Sequence, residues 1–534
     1  MTVTNFEDRI THDFNEDALT TNIAGEEIRN HGNLTTTGAL ANGIFAGVND
    51  VTVRNFANIE TSGFGAAGIY VSGENARIEN YGSVHTTGDP TADESFFSEG
   101  LFAEGNGFYI ANHGSVLVEG VSATPLVGAG NDGVAINYGQ VDSVSFNSSV
   151  IAAIGDGSQA INAGLITIRG DDNAGLFALG EDASSLNSGE ILVTGEFTTA
   201  VEGVLFNTHV TNRGEIHVTA DSSAGMGGFG DDHEVSNFGL IDTHGTFTIG
   251  MAARGGGPLE LDGTDLEMVN AGRIITEGEL AIGAALGVSP LGFRPAEGGE
   301  ITNSGTIQTE GAGAAGIVMI GDDHHLINSG RITADGGEAE NDFIGALRAA
   351  GVVVSGDDVV VENTASGIIQ SKDAAAAAVE LNVVERDGLP AGGTSSTLEN
   401  FGRIVGAVAV LGGAGEETVI NHGRIVGNVA LGDGDDTFVF GKGGTVAGNV
   451  SLGGGDDLAI IENGSGKTVI ADFVAGATSG DQIDVSEFFS SFGEVTAHSQ
   501  QRGNDVVINL DKNDTLVLSH VQLSALTDGD FLFV

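Results

Sequence analysis

The sequence predicts an all-β chain: a long parallel β-helix, or β-solenoid, built mostly of 25-residue coils and ending in a β-rich C-terminal cap. Three observations predict it. An Asn recurs at Asn30, Asn55, Asn80, Asn112, Asn137, Asn162, Asn187, Asn212, Asn237, Asn270, Asn303, Asn328, Asn363, Asn400 and Asn421, most often 25 residues apart. Between these Asn, apolar and polar residues alternate, which is the period of strands. Gly-rich corners break the alternation, in a chain with 86 Gly, 6 Pro and no Cys. A fixed interval of this size signals stacked repeats, each burying its neighbour's open face.

Composition narrows the function classes. The 534 residues carry 74 Asp and Glu against 19 Lys and Arg, a formal net charge of −55. Such a surface repels a duplex or an anionic membrane, so nucleic-acid binding is not expected, and cations are its natural counterpart. The 40% hydrophobic fraction is too high for an acidic disordered tail. Without Cys there are no disulfides or thiolate metal sites. No N-terminal signal peptide is visible in residues 1–21, and no apolar run is long enough for a transmembrane segment.

Residues 1–25 fit the repeat poorly and read as an N-terminal cap or an irregular first coil. Residues 26–396 are the regular rod. In Val51–Asn75, the residues Val53, Asn55, Ala57, Ile59, Thr61 and Gly63 alternate with polar ones, followed by Ala67, Ile69 and Val71 in a second phase. The Asn falls in phase with the inward residues. A buried amide must satisfy its donors and acceptor, and stacked Asn side chains do so along an internal ladder. Intervals of 32, 33, 33, 35 and 37 residues mark coils with insertions: near Asp89, Gly255, Ser289, Gly336 and Glu385. The second and third of these lie in neighbouring coils at one corner and suggest a raised patch. Residues 397–457 form shorter coils, and residues 458–534 read as the cap.

Two acidic constellations carry the chemistry. The first is a set of corners that stacking would align along one edge, among them Asp231-Asp232, Asp322-Asp323 and Asp357-Asp358. Bound cations would relieve the repulsion between them, and a solvated edge with an ion atmosphere is the alternative. The second is sharper. Gly432-Asp433-Gly434-Asp435-Asp436-Thr437-Phe438 fits G-x-G-x-D-x-U, a calcium-binding repeat, and Gly453-Gly454-Gly455-Asp456-Asp457-Leu458-Ala459 follows 21 residues later. Gly corners turn carbonyls toward one point and Asp supplies charge. Ca2+ accepts six to eight such oxygens at flexible angles.

At these residues the chain resembles secreted bacterial proteins with haemolysin-type (RTX) calcium-binding repeats, over about Gly423–Val534. Val469–Phe488 resembles the cap of that family, with Asp472, Asp481 and Asp484 at characteristic places. Asp514–Val534 is similar to the end of a serralysin-like C-terminal domain. The resemblance implies calcium-dependent folding outside the cell. It also implies export by type I secretion machinery through an uncleaved C-terminal signal, here Asp530-Phe531-Leu532-Phe533-Val534. The family's motifs usually recur every nine residues, whereas these two lie one coil apart, so any site is expected between coils. The upstream rod is more similar to haemagglutinin and autotransporter passenger β-helices.

Parallel β-helices also host polysaccharide lyases, hydrolases and epimerases, which cluster catalytic groups on one outer face. No such cluster is evident. His233, His244, His324 and His325 are scattered, and Arg273, Arg331, Arg403 and Arg424 share one repeat position as outward charges. No HExxH zinc motif, nucleotide loop or Ser-His-Asp spacing occurs. The expected function is a secreted, calcium-binding, structural or adhesive solenoid of the bacterial surface or matrix. It is expected to self-assemble as a surface layer, filament or biofilm component. The alternatives are a polysaccharide-active enzyme and a monomeric adhesin for a host or sugar ligand.

Overall fold

The computed structural model describes residues 1–87, 98–256, 261–289, 292–293, 296–341, 345–382, 395–476 and 480–533. The insertions near Asp89 and Glu385 lie outside the described residues, as do parts of those near Gly255, Ser289 and Gly336 and the last residue of the expected export signal. The fold is a parallel β-helix. The chain divides into two compact units: Met1–Glu267 with Gly272–Ile275 and Ser289–Leu291, and Met268–Ala271 with Thr276–Val288 and Gly292–Val534.

A coil of the first unit has three short strands, as in Thr52–Asn55, Asn58–Thr61 and Ile69–Ser72. Each strand pairs in parallel with its counterpart one coil away, residue for residue: Asn55 with Asn80, Ile59 with Val84, Ile69 with Leu101. Alternation places Val53, Ile59, Ile69 and Val71 inside, each 0–1% exposed. Ala57 departs from the expected inward phase and is half-buried, because only Phe56 and Ala57 separate the first two strands.

That two-residue corner explains the Asn. The Asn55 amide donates to the Ala57 carbonyl at 2.8 Å, and its Oδ1 accepts the Ala57 N–H at 3.3 Å. The same Nδ2 donates to Asn80 Oδ1 at 2.9 Å. One side chain therefore closes its own corner and joins the next coil. In the first unit this relay runs from Asn5 through Asn30, Asn55, Asn80, Asn112, Asn137, Asn162, Asn187 and Asn212 to Asn237, with every link at 2.8–2.9 Å. In the second unit it runs from Asn270 through Asn303, Asn328, Asn363 and Asn400 to Asn421. The Gly two residues after most ladder Asn is a matter of space: a Cβ on Gly164 would lie 2.1 Å from the Gly139 carbonyl oxygen.

Residues 1–25 are less irregular than their sequence suggests. Thr2–Asn5, Arg9–Thr11 and Leu19–Thr21 pair with the strands of the following coil, Asn5 opposite Asn30.

The shorter coils of the second unit arise from the loss of a corner. The single strand Arg403–Leu411 pairs at its start with Ile368–Ser371 and at its end with Ala377–Glu380, which are separate strands one coil earlier. After Ile461 the parallel strands Lys467–Ile470 and Gln482–Asp484 continue the stack, followed by a short helix Phe492–Ala497 and an antiparallel run of Ser499–Arg502, Asp505–Asn509 and Thr515–Leu518. No helix among the described residues is long and apolar enough to cross a membrane.

Candidate functional site

The two Gly/Asp motifs sit at equivalent positions of consecutive short coils. Thr418, Thr437, Leu458 and Gln482 stack in register at the start of neighbouring strands. The residues just before them are Glu417, Asp436, Asp457 and Asp481. These four acids form a column inside the second unit, 0%, 1%, 1% and 2% exposed.

Asp436, Asp457 and Asp481 are each tied to the backbone of the coil before them. The Glu417 N–H donates to Asp436 Oδ1 at 2.7 Å, and the Asp436 N–H donates to Asp457 Oδ1 at 2.9 Å. The Asp457 N–H reaches Asp481 Oδ1 at 3.4 Å, and the Val474 N–H meets Asp481 Oδ2 at 2.7 Å. At the other end the Asn382 amide donates to Glu417 Oε1 at 2.7 Å, and the Ser396 hydroxyl donates to Asn382 Oδ1 at 3.0 Å. One oxygen each of Glu417, Asp436 and Asp457 is buried without a hydrogen-bond partner. Burial dominates their acidity. It pushes Glu417 up to about 8, and Asp436 and Asp457 each up to about 6, and it raises Asp481. Nearby negative charges push the same way, Asp436 on Glu417 and Asp481 on Asp457.

The glycines allow the coils to close over this column. Gly432 and Gly434 have φ of 115° and 128°, and Gly453 and Gly455 have φ of 111° and 153°. A Cβ on Gly453 would lie 1.7 Å from the Gly432 carbonyl oxygen.

The motif's other acids lie elsewhere. Asp433, Asp435 and Asp456 are exposed, with Asp435 Oδ1 accepting the Asp456 N–H at 2.8 Å. Asp472 accepts the Leu452 and Gly453 N–H groups at 2.9 and 3.1 Å, and Asp484 accepts the Ser486 N–H at 2.8 Å. Asp530 of the expected export signal is buried and accepts the Thr527 N–H at 2.6 Å.

The corner acids divide into two jobs. In two of the pairs the first acid receives backbone N–H groups from the next coil. Asp231 takes those of Gly263 and Thr264 at 2.7 and 3.1 Å, and Asp322 takes that of Asp357 at 2.8 Å. The second, Asp232, Asp323 or Asp358, has φ of 54–58°, a left-handed conformation that Asp tolerates better than most residues. Asp358 also accepts the Ser395 hydroxyl at 2.8 Å. Among the described residues, no group of three or more His, Cys, Asp or Glu side chains is placed to hold a metal ion. A cation at the column would therefore draw most of its oxygens from backbone carbonyls.

His233 and His324 are both 1% exposed, and burial lowers the pKa of each imidazole. Arg273, Arg331, Arg403 and Arg424 are exposed, each at the start of its strand. Glu417, Asn382 and Ser396 were missed by motif reading. A signal existed: Gly413-Ala414-Gly415-Glu416-Glu417 repeats the Gly/acid pattern one coil earlier at the same spacing, with Glu in place of Asp.

Residues 2–181 match the family described as BigA third pectate lyase-like domain. No curated protein and no solved structure matches the chain. The family match lies in the first unit and does not reach the acid column.

Proposed function

We propose that the chain is a secreted calcium-binding β-solenoid with a structural or adhesive role at a bacterial surface or in extracellular matrix. The column of Glu417, Asp436, Asp457 and Asp481 carries the reading. Buried neighbouring acids, three of them with an oxygen that has no hydrogen-bond partner, are costly unless a proton or cation joins them. The donor set suits a hard cation of flexible coordination: buried carboxylate oxygens beside Gly-rich turns. Asp436 and Asp457, the motif residues on the inner face, would hold it with Gly carbonyls, and Glu417 and Asp481 extend the column. Bound calcium would supply the positive charge that these coils lack.

The resemblance of Gly423–Val534 to calcium-repeat proteins supports export by type I secretion machinery, and the −55 charge supports a calcium-free chain held loose by self-repulsion. Assembly with copies of itself follows from the same charge, with calcium bridging acidic edges. The deciding experiment is calcium titration followed by circular dichroism, melting and electron microscopy. Calcium-dependent strand signal with ordered polymers is the expected outcome. Folding and melting that ignore calcium would sink the ion mechanism.

A second reading is favoured by one observation, the pectate lyase-like match of residues 2–181. It makes the first unit polysaccharide-active. Incubation with polygalacturonate and neutral polysaccharides, scored for new reducing ends, separates the two. Cleavage by a monomer would replace the structural reading.

A further inference from the structure

The first coil of the first unit has an open edge. Among the described residues its strands Thr2–Asn5, Arg9–Thr11 and Leu19–Thr21 each pair with one strand, in the second coil. The other edge of each strand offers N–H and C=O groups, which is a template for pairing with another molecule. Part of that template is intact. Val3, in register with the buried Ile28, is 39% exposed. Asn30, Asn55 and Asn80 each accept the side-chain amide of the coil before through Oδ1. Asn5 Oδ1 stands at the same place, and among the described residues it takes only the Glu7 N–H of its own corner, at 3.3 Å.

Arg9 breaks the template at two points. By register it stands over Leu34, Ile59, Val84, Val116 and Val141, an inward column that stays apolar as far as Ile241. Every one of those apolar residues is 0–1% exposed. At the head of the column stands a guanidinium, the only Lys or Arg side chain among residues 1–28, and it is exposed. Such a side chain can lay its stem along an apolar layer and keep its charge in water.

The second point is the ladder of strand hydrogen bonds. The N–H groups of Leu19, Ile44, Ile69 and Leu101 donate to the carbonyls of Gly43, Gly68, Gly100 and Pro125, each in the following coil, at 2.8–3.1 Å. Ala18 is the first-coil counterpart of those four residues, so its carbonyl is the acceptor that an added layer would use. That acceptor is taken: Arg9 Nη1 donates to it at 3.1 Å. One side chain holds both a core position and an edge acceptor. Stacking a layer over it would break that bond and bury the guanidinium without a carboxylate partner, which is costly.

We propose that the contact of Arg9 with Ala18 is autoinhibitory, and that it keeps the open edge of the first coil from docking on the first coil of a second copy. A second copy is the partner excluded because the edge complements itself. A two-fold axis lets the same strands of two molecules pair in antiparallel fashion, and such a contact needs one surface only. It would also bring the two Arg9 head groups together, so like charge adds to the block.

The test is sedimentation velocity of the full chain in a chelator at about 0.5 M salt, which removes calcium and screens the acidic surface. The parent should be monomeric. Arg9→Leu continues the apolar column and frees the Ala18 carbonyl, and it should dimerise about tenfold more tightly than the parent or better. On dimerisation its amides in residues 2–21 should gain hydrogen-exchange protection. Arg9→Lys keeps a charge and a donor and should stay monomeric. Glu16→Leu adds the same apolar side chain at an exposed position of this coil, leaves Arg9 in place, and should stay monomeric too. Circular dichroism checks that each variant folds, and Arg9→Met takes the place of Arg9→Leu where that variant does not. A folded Arg9→Leu or Arg9→Met chain that sediments like the parent overturns the proposal. So does a parent that already dimerises with protection in residues 2–21. Equal association of Arg9→Lys or Glu16→Leu overturns it as well, as does an Arg9→Leu dimer whose new protection lies outside the first coil. With calcium absent throughout, each of these results leaves the calcium reading standing.

Discussion

Asp436 accepts the backbone N–H of Glu417 at 2.7 Å, and each of these buried acids keeps its second oxygen without a hydrogen-bond partner. Two carboxyls in that relation cannot both stay ionised cheaply. Something positive must join them, and without a metal it is a proton.

The first prediction concerns pH in the absence of calcium. The column acids hold protons more tightly folded than unfolded. Their contribution is therefore intact below the ordinary carboxylate range and is lost as pH rises through the folded values. Asp457 moves from its ordinary 3.8 to about 6, worth about 3 kcal/mol lost across that interval. Glu417, raised to about 8, extends the loss toward alkaline pH. In a chelator, the melting transition of the second unit should fall steadily from about pH 4 to about pH 8. A transition that rises over this window contradicts the assignment. Saturating calcium should flatten or reverse the slope.

Asp457→Asn should act with opposite signs in the two states. The amide keeps an oxygen for the Asp436 N–H and removes a buried charge. Without calcium at neutral pH the variant should be more stable than the parent by about 2–3 kcal/mol. With calcium it should lose most of the metal-induced rise in melting temperature. Paired denaturation curves with and without calcium measure both, and a variant destabilised equally in the two conditions would show that Asp457 serves only the fold.

Asn162→Ala tests the ladder. Asn162 accepts from Asn137 and donates to Asn187, each at 2.9 Å. Truncation strands a buried donor on one side and a buried acceptor on the other, at about 1–3 kcal/mol each. The expected loss is about 2–5 kcal/mol by urea denaturation, with hydrogen-exchange protection falling first in the strands holding Asn137 and Asn187. A loss within about 0.5 kcal/mol would mean that the corner bonds alone hold the coil.

Two glycines should respond differently to alanine. At Gly164 a Cβ would collide with the Gly139 carbonyl at 2.1 Å, so neighbouring coils must part. At Gly443 a Cβ meets nothing within 4 Å, and only its φ of 81° opposes a side chain. Gly443→Ala should cost about 1–2 kcal/mol, and Gly164→Ala more than that. Thermal melts of both variants provide the comparison.

Much of this architecture was legible because stacking imposes two periods at once. Alternation marked the strands, and the recurrent Asn, read as inward, marked the ladder. Legibility failed where chemistry was kept and letters changed. Asn5 lies in the ladder but is followed by Phe6-Glu7 and lacks the Gly that flags most of the others. Glu417 completes the acid column with one more methylene than Asp, in a motif whose letters are Glu rather than Asp. The paired corner acids looked equivalent, yet one is an acceptor and the other a backbone conformation, a distinction that only φ reveals.

The ladder also tolerates unequal contour length. Links between Asn80 and Asn112, Asn363 and Asn400, and Asn400 and Asn421 span 32, 37 and 21 residues, and all measure 2.8 Å. What neighbouring coils recognise in each other is a short stretch of strand, and the path between those stretches is unconstrained. Foreign segments spliced into a corner should therefore be displayed without disturbing the layers on either side, so the chain is a natural carrier for grafted epitopes or enzymes.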